Sequence, residues 1–287
     1  MGSPGWSEAL SERILALSER APGSGSEEIS VLSLESASLL AREAGLSLGE
    51  VERAALEAEV MPRRYLRNLG TLGWQGQLRL LDSGVAVFGL GGLGGMVLEL
   101  LARMGVGRLV AVDGDRFSED NLNRQLLSRS DNLGSAKAAA AAERVNAVNP
   151  AVELRALEAM ADEESMQELA AGCAAAVDAL DNIPSRLQLQ EACRRLGIPM
   201  VHGAIAGFSG QVTTVFPGDP GLRLLYPQGG DRGIERVTGN PAATPALVAA
   251  LEVAEVVKLL TGLGEPLRNR LLFLDTETNT FELTELD

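Results

Sequence analysis

Residues 84–125 read GVAVFGLGGLGGMVLELLARMGVGRLVAVDGDRFSEDNLNRQ, and this stretch decides the fold. It predicts a buried strand over 85–88, a glycine turn, a helix over 93–104 and a second strand over 108–113. The helix carries Leu93, Met96, Val97, Leu100, Leu101 and Met104 on one side, and Gly105 and Gly107 end it. Gly89, Gly91 and Gly94, with Gly92 between them, have the GxGxxG spacing of a nucleotide-binding turn. Asp113 closes the second strand, where a carboxylate can accept hydrogen bonds from ribose hydroxyls.

Outward from this unit the chain keeps alternating. A helix over 135–147 follows, then a strand over 152–157, a helix over 163–171, a strand over 175–180, a helix over 184–196 and a strand over 199–202. That rhythm predicts an α/β fold, Rossmann-like, with a mostly parallel sheet and helices on both faces. Beyond Gly203 the pattern changes: 208–216 alternates like an antiparallel strand, and 218–243 is an irregular crossing loop. A last helix is expected with Thr244 as N-cap, Pro245 at its first position and Gly262 at its end. Short strands over 271–273 and 280–283 finish the chain. Upstream, residues 1–62 predict a small all-helical extension with helices over 7–18, 34–44 and 48–60. Residues 63–83 read as a polar lead-in to the domain over 63–287.

Composition sets limits. The 287 residues carry 39 acidic and 25 basic side chains, a net charge of −14. Nucleic-acid binding rests on clustered positive charge, so this balance weighs against DNA. The string SLLAREAGLSLGEVERAAL has a helix-turn-helix pattern, but its second helix carries Glu50, Glu52, Glu57 and Glu59 against Arg53 alone. No apolar run is long enough for a membrane span and the N-terminus has no signal-peptide pattern, so a cytoplasmic protein is expected. Cys173 and Cys193 give no disulfide framework. Lys137 and Lys258 are the two lysines among the basic residues.

The loop after Asp113 narrows the ligand. It presents Asp115, then Asn121, Arg124 and Gln125, on the rim where the glycine turn lies, and Lys137 follows in the first turn of the next helix, with Ser135 as expected N-cap. A cation is disfavoured at a helix N-terminus, and a bound polyphosphate removes that conflict. A dinucleotide has no evident use for the Arg124–Lys137 pair. A nucleoside triphosphate does, since the charge of a departing pyrophosphate must be held. Asp178 and Asp181, in VDALDNIPSR, fall where strand 175–180 meets its helix. Asp178 reads as structural, whereas Asp181 is placed to hold Mg²⁺ at that edge. His202, the single histidine, reads as a satisfied core residue.

These residues together resemble a known family: Arg-Tyr-x-Arg at 64–67, GLGGLG at 89–94, Asp113 with Asp115, NLNRQ at 121–125, Lys137, Asn149-Pro150 and Asp181-Asn182. The ordered set is similar to the ThiF/MoeB/HesA group of ubiquitin-activating-like adenylyltransferases, from about Arg64 to Gly262. The resemblance implies binding of ATP with Mg²⁺ and adenylation of the C-terminal glycine of a small ubiquitin-like sulfur carrier ending in Gly-Gly. It implies that Asp113 binds ribose, Arg124 and Lys137 hold phosphates, Asn121 and Gln125 line the site, and Asp181 serves the metal. It also implies that Arg67 reaches the neighbouring protomer's ATP site, hence a homodimer. The chain departs from the pattern at two places. The stretches LRLLYP (222–227) and GNPAATPA (239–246) lack the zinc-binding cysteines of many members, so no zinc is expected. The loop GGDRGIERVTGN (229–240) lacks a catalytic cysteine, so the acyl-adenylate is expected to pass to an external sulfur donor. Adenylation of a peptide or a tRNA base, and a nucleotide-binding scaffold without catalysis, stand as alternatives.

Overall fold

A computed structural model describes residues 6–23, 27–227 and 235–286. Eleven strands are described: β1 (Glu19–Pro22), β2 (Glu28–Leu32), β3 (Val60–Pro62), β4 (Gly84–Phe88), β5 (Arg108–Val112), β6 (Glu153–Leu157), β7 (Ala175–Asp178), β8 (Met200–Ala206), β9 (Ser209–Val215), β10 (Arg270–Asp275) and β11 (Thr280–Glu285). The helices are α1 (Glu8–Ala16), α2 (Leu34–Ala44), α3 (Leu48–Glu57), α4 (Leu69–Asp82), α5 (Gly94–Met104), α6 (Lys137–Val148), α7 (Glu163–Ala170) and α8 (Ile183–Leu196). Two one-turn helices, α9 (Leu222–Leu225) and α10 (Glu235–Thr238), precede the long α11 (Ala243–Thr261).

Eight strands form one sheet in the order β11-β10-β9-β8-β7-β4-β5-β6. The pairs from β8 through β7, β4 and β5 to β6 are parallel, and those from β8 to β11 are antiparallel. Side chains of a strand alternate between faces, so β4 and β5 feed two cores. Val85, Val87, Leu109 and Ala111 pack with α4, α5, α6 and α11. Ala86, Phe88, Val110 and Val112 pack with α7 and α8. This is the α/β architecture with antiparallel C-terminal strands that the sequence predicts. Among the described residues, no helix is long and apolar enough to cross a membrane.

The N-terminal extension differs from expectation. Beside α1, α2 and α3 it contains a three-stranded sheet, β1-β2-β3, so it is not all-helical. β1 and β2 form an antiparallel pair, with Arg20 opposite Ser30 and Ala21 opposite Ile29. The polar start of each strand and their shortness hide them from any periodicity. The helix expected to reach residue 60 ends at Glu57, because Glu59 turns into positive φ and Val60 enters β3. Residues 63–83 are not a lead-in but a 3₁₀ turn, Arg63–Asn68, followed by α4, which Gly73 at φ 65° breaks in two. The second helix of the helix-turn-helix pattern, α3, buries Val51, Glu52, Ala54, Ala55 and Leu56 against its surroundings.

The extension docks where β4, β5 and β6 begin. Arg53 Nε donates to Asp82 at 2.6 Å, just before β4. A Cβ on Gly49 would lie 2.8 Å from the Ala151 carbonyl, just before β6, so α3 presses on that turn. Arg64 bonds Asn149 and pairs with the buried Glu52 at 3.2 Å, while Asn149 donates to the Tyr65 hydroxyl at 2.8 Å. The Arg-Tyr and Asn-Pro motifs therefore meet each other at this edge, opposite the strands' C-terminal ends.

Candidate nucleotide site

At the C-terminal ends of β4, β5, β6 and β7 lies a cleft of about 600 Å³. Its floor is the glycine turn. Gly89 adopts φ 91°, open mainly to glycine, and a Cβ on Gly94 would sit 1.8 Å from the Gly89 carbonyl oxygen. The turn can be this tight only without side chains at Gly89 and Gly94. The α5 N-terminus that follows has no side-chain cap, so its amides and dipole face the cleft, as an anionic phosphate group requires.

Asp113 ties the turn to the next loop. Its Oδ2 accepts from Leu90 N at 2.6 Å and its Oδ1 from Asp115 N at 2.8 Å. Each oxygen keeps a second lone pair for a hydroxyl donor. Lys137, buried to 6% exposure, places Nζ 3.0 Å from Asp115 Oδ2 and 3.8 Å from Asp113 Oδ2. The position before it, Ala136, is the N-cap of α6 and offers no side-chain bond, so Ser135 is not the cap. Two carboxylates therefore answer the cation at this helix start.

Asn121 and Gln125 are both buried in the cleft wall. Asn121 Oδ1 accepts from Ser118 N at 3.2 Å and holds its own loop closed. Gln125 Oε1 is buried with no hydrogen-bond partner, while Nε2 lies 3.9 Å from where a Gly91 Cβ would stand. Arg124 donates to the Asp120 carbonyl at 3.0 Å, and its stem lies about 3.5 Å from where a Gly92 Cβ would stand. Asp181 is exposed on the opposite lip, where Asn182 Nδ2 donates to its Oδ1 at 3.3 Å. The α8 cap is Asn182, whose Oδ1 accepts from Ser185 N at 2.9 Å, so Asp181 is not needed for capping.

The cleft thus assembles Gly89, Gly91, Gly92, Asp113, Asp115, Asn121, Arg124, Gln125, Lys137 and Asp181. Gly94 shapes the turn from beneath. Arg67 is not among the lining residues: it is exposed on the 3₁₀ turn at the opposite edge of the sheet. Among the lining residues that escaped the reading of the sequence are Arg116, which donates to Glu158 at 2.6 Å, Ser118, Met160 and Arg186. Arg186 ends the VDALDNIPSR string, and Pro184 fixing the helix start was the available signal for its facing the lip.

The remaining chemistry-bearing groups are internal. Asp178 and His202 are wholly buried, with Nδ1 2.7 Å from Oδ2, and burial lowers the His202 pKa despite that partner. Cys173 and Cys193 are free and buried, and burial pushes the Cys193 thiol up to about 12. Thr244 lies inside α11 and donates to the Gly207 carbonyl at 2.8 Å, and Ala242 takes the N-cap position expected for it. Of loop 229–240, residues 229–234 lie outside the described residues.

The ThiF family profile matches residues 65–287. A Haloferax volcanii protein named SAMP-activating enzyme E1 is 42% identical over 224 residues, covering 76% of this chain and 83% of that one. The sulfur carrier protein adenylyltransferase of Thermus thermophilus is 37% identical over 229 residues, covering 76% and 84%. The molybdopterin-synthase adenylyltransferase of Salmonella typhimurium is 32% identical over 228 residues, covering 78% and 92%. Among solved structures, E. coli MccB with ATP superposes with a TM-score of 0.66 at 20% identity, over 78% of this chain and 71% of that one, which shows the shared fold. The chain belongs to the ThiF family.

Proposed function

We propose that this protein adenylates the C-terminal glycine carboxylate of a small ubiquitin-like sulfur carrier, using ATP and releasing pyrophosphate. The observation that carries the reading is the pairing of Lys137 and Arg124 with the uncapped α5 N-terminus in one cleft, with an exposed acid, Asp181, on the opposite lip. The three relatives above are named for activating or adenylating such proteins or their synthase, and the reaction is that of an adenylyltransferase.

The chemistry needs little from the protein beyond alignment and charge. A carboxylate oxygen of the carrier attacks the α-phosphorus. The bond from that phosphorus to the bridging oxygen breaks, and pyrophosphate leaves with the electron pair. The attacking group is already ionised at neutral pH, so no general base is required. Lys137 and Arg124 stabilise the negative charge that gathers on the leaving group. Asp113 accepts from the ribose, and Gln125 lines the same site.

The donor set fits Mg²⁺, which takes carboxylate oxygens together with substrate phosphates. Asp181 would hold it, and the ion would neutralise phosphate charge. Arg67 stands on the far edge of its own sheet, which is compatible with service to a second protomer in a homodimer. The buried cysteines leave the adenylate to an external sulfur donor in the cytoplasm. Radiolabelled pyrophosphate exchange into ATP tests the reading. Exchange should require a carrier ending in Gly-Gly, and exchange that ignores the carrier would refute it.

A further inference from the structure

The lip that carries Asp181 is clamped from within. Leu180, its chain neighbour, is held on both sides of its backbone. Its N–H donates to Asp178 Oδ1 at 3.1 Å. Its carbonyl accepts two bonds from Arg186, from Nη2 at 2.8 Å and from Nε at 3.2 Å.

Neither side of this clamp can move alone. Asp178 is wholly buried, with its other oxygen 2.7 Å from His202 Nδ1. Arg186, one turn into α8, donates its remaining terminal nitrogen to the Tyr226 hydroxyl at 2.9 Å. Tyr226 also accepts from Gln211 Nε2 at 3.1 Å on β9. Two anchored side chains therefore grip the two peptides that flank Leu180, and the second of these leads into the acid of the cleft.

A planar guanidinium with two parallel donors fixes the direction of the carbonyl it binds as well as its distance. The peptide that follows starts from that carbonyl carbon, so its plane is set too. We infer that Arg186 is a positioning residue, which acts through the Leu180 carbonyl to set where the Asp181 carboxylate stands. This rests on the proposed role of Asp181 for its consequence in catalysis, but not for the clamp itself. It assigns a task to a buried arginine on the cleft wall whose charge would otherwise read as one more phosphate ligand.

The test uses the full chain and has two readouts. The first, amide hydrogen exchange of the substrate-free protein, is independent of activity. Arg186→Gln should speed exchange across 179–182 by about tenfold or more while α5 and β4 stay protected. Arg186→Lys should fall between, because an ammonium can still donate one bond to Leu180. The second readout is carrier-dependent pyrophosphate exchange. Arg186→Gln should lower kcat by about 10²-fold, the scale of a misplaced reacting group, with KM for ATP changed less than about twofold. Tyr226→Phe, which keeps the ring and removes one anchor, should move both readouts the same way and less far, and it serves if Arg186→Gln does not fold. Unchanged protection over 179–182 in Arg186→Gln, or in Tyr226→Phe where that variant stands in, overturns the clamp. A KM for ATP raised as much as kcat falls overturns positioning in favour of direct contact. A wild-type protein with no exchange in any carrier's presence refutes the adenylation reading and leaves the amide result to decide this one.

Discussion

Lys137 Nζ stands 3.0 Å from Asp115 Oδ2 at the first residue of α6. A buried cation at a helix N-terminus is unfavourable by some tenths of a kcal/mol or more, and here an acid two residues past Asp113 offsets it. Triphosphate can take over that role when it binds, releasing Asp115 to solvent.

Lys137→Ala is therefore expected to lower carrier-dependent pyrophosphate exchange by about 10²–10³-fold, the usual loss for one preorganised donor on a developing charge. Steady-state exchange rates at saturating ATP check this. Retention of rate within a few-fold would remove Lys137 from the phosphate site.

The glycine turn separates two substitutions that look alike in sequence. A Cβ at Gly94 would meet the Gly89 carbonyl oxygen at 1.8 Å, whereas at Gly92 it would meet Arg124 and Pro245 carbons at 3.5 Å, an ordinary contact. Gly94→Ala should cost more than about 4 kcal/mol and abolish ATP binding, and Gly92→Ala should fold with a melting temperature near that of the parent. Thermal melting and nucleotide titration of both variants measure the contrast.

Glu52, in the extension, is buried against Arg64, and burial raises its carboxyl from 4.5 to about 7 in spite of that partner. Within that window the folded chain keeps a proton that the unfolded chain has lost. Stability from this group is complete below the lower value and falls as pH rises through about 7, by about 3 kcal/mol in all as an order of magnitude. Glu52→Gln should flatten this part of the stability–pH curve, whatever it does to the absolute level. Chemical denaturation at several pH values reads the slope, and an unaltered slope in the variant would assign the effect elsewhere.

Arg67 is exposed and does not line its own cleft, so under the proposed homodimer its function should appear only across protomers. Arg67→Ala and Lys137→Ala, each inactive alone, are expected to complement when mixed and allowed to exchange subunits. One intact site forms per mixed dimer, giving roughly a quarter of parental activity at equal mixing. Full activity of Arg67→Ala by itself would dismiss the arginine from catalysis.

What the sequence made legible follows from burial. β4 and β5 are covered on both faces and read as continuous apolar runs, and Asp113, Asp115, Asn121, Arg124 and Gln125 follow the glycine turn within the next strand and loop. The extension's sheet was not legible because Glu19–Pro22 and Glu28–Leu32 are short, begin with charge and gain their order from pairing. α4 was hidden by Gly70, Gly73 and Gly76, weak helix formers that tertiary packing of Leu72 and Leu80 overrides. Arg116 reaches the cleft wall through a long side chain whose partner, Glu158, lies just past β6, and such placement has no local signature. The Arg-Tyr and Asn-Pro motifs looked like site residues, yet Arg64, Tyr65 and Asn149 bond one another at the far edge of the sheet.

The most direct measurement of the central claim is the intact mass of a Gly-Gly carrier incubated with the protein, ATP and Mg²⁺. A carrier that gains one adenylyl group at its terminal glycine, and fails to gain it when that carboxylate is amidated, is the predicted result. An unmodified carrier beside hydrolysed ATP, or adenylation that persists on the amidated form, would contradict it.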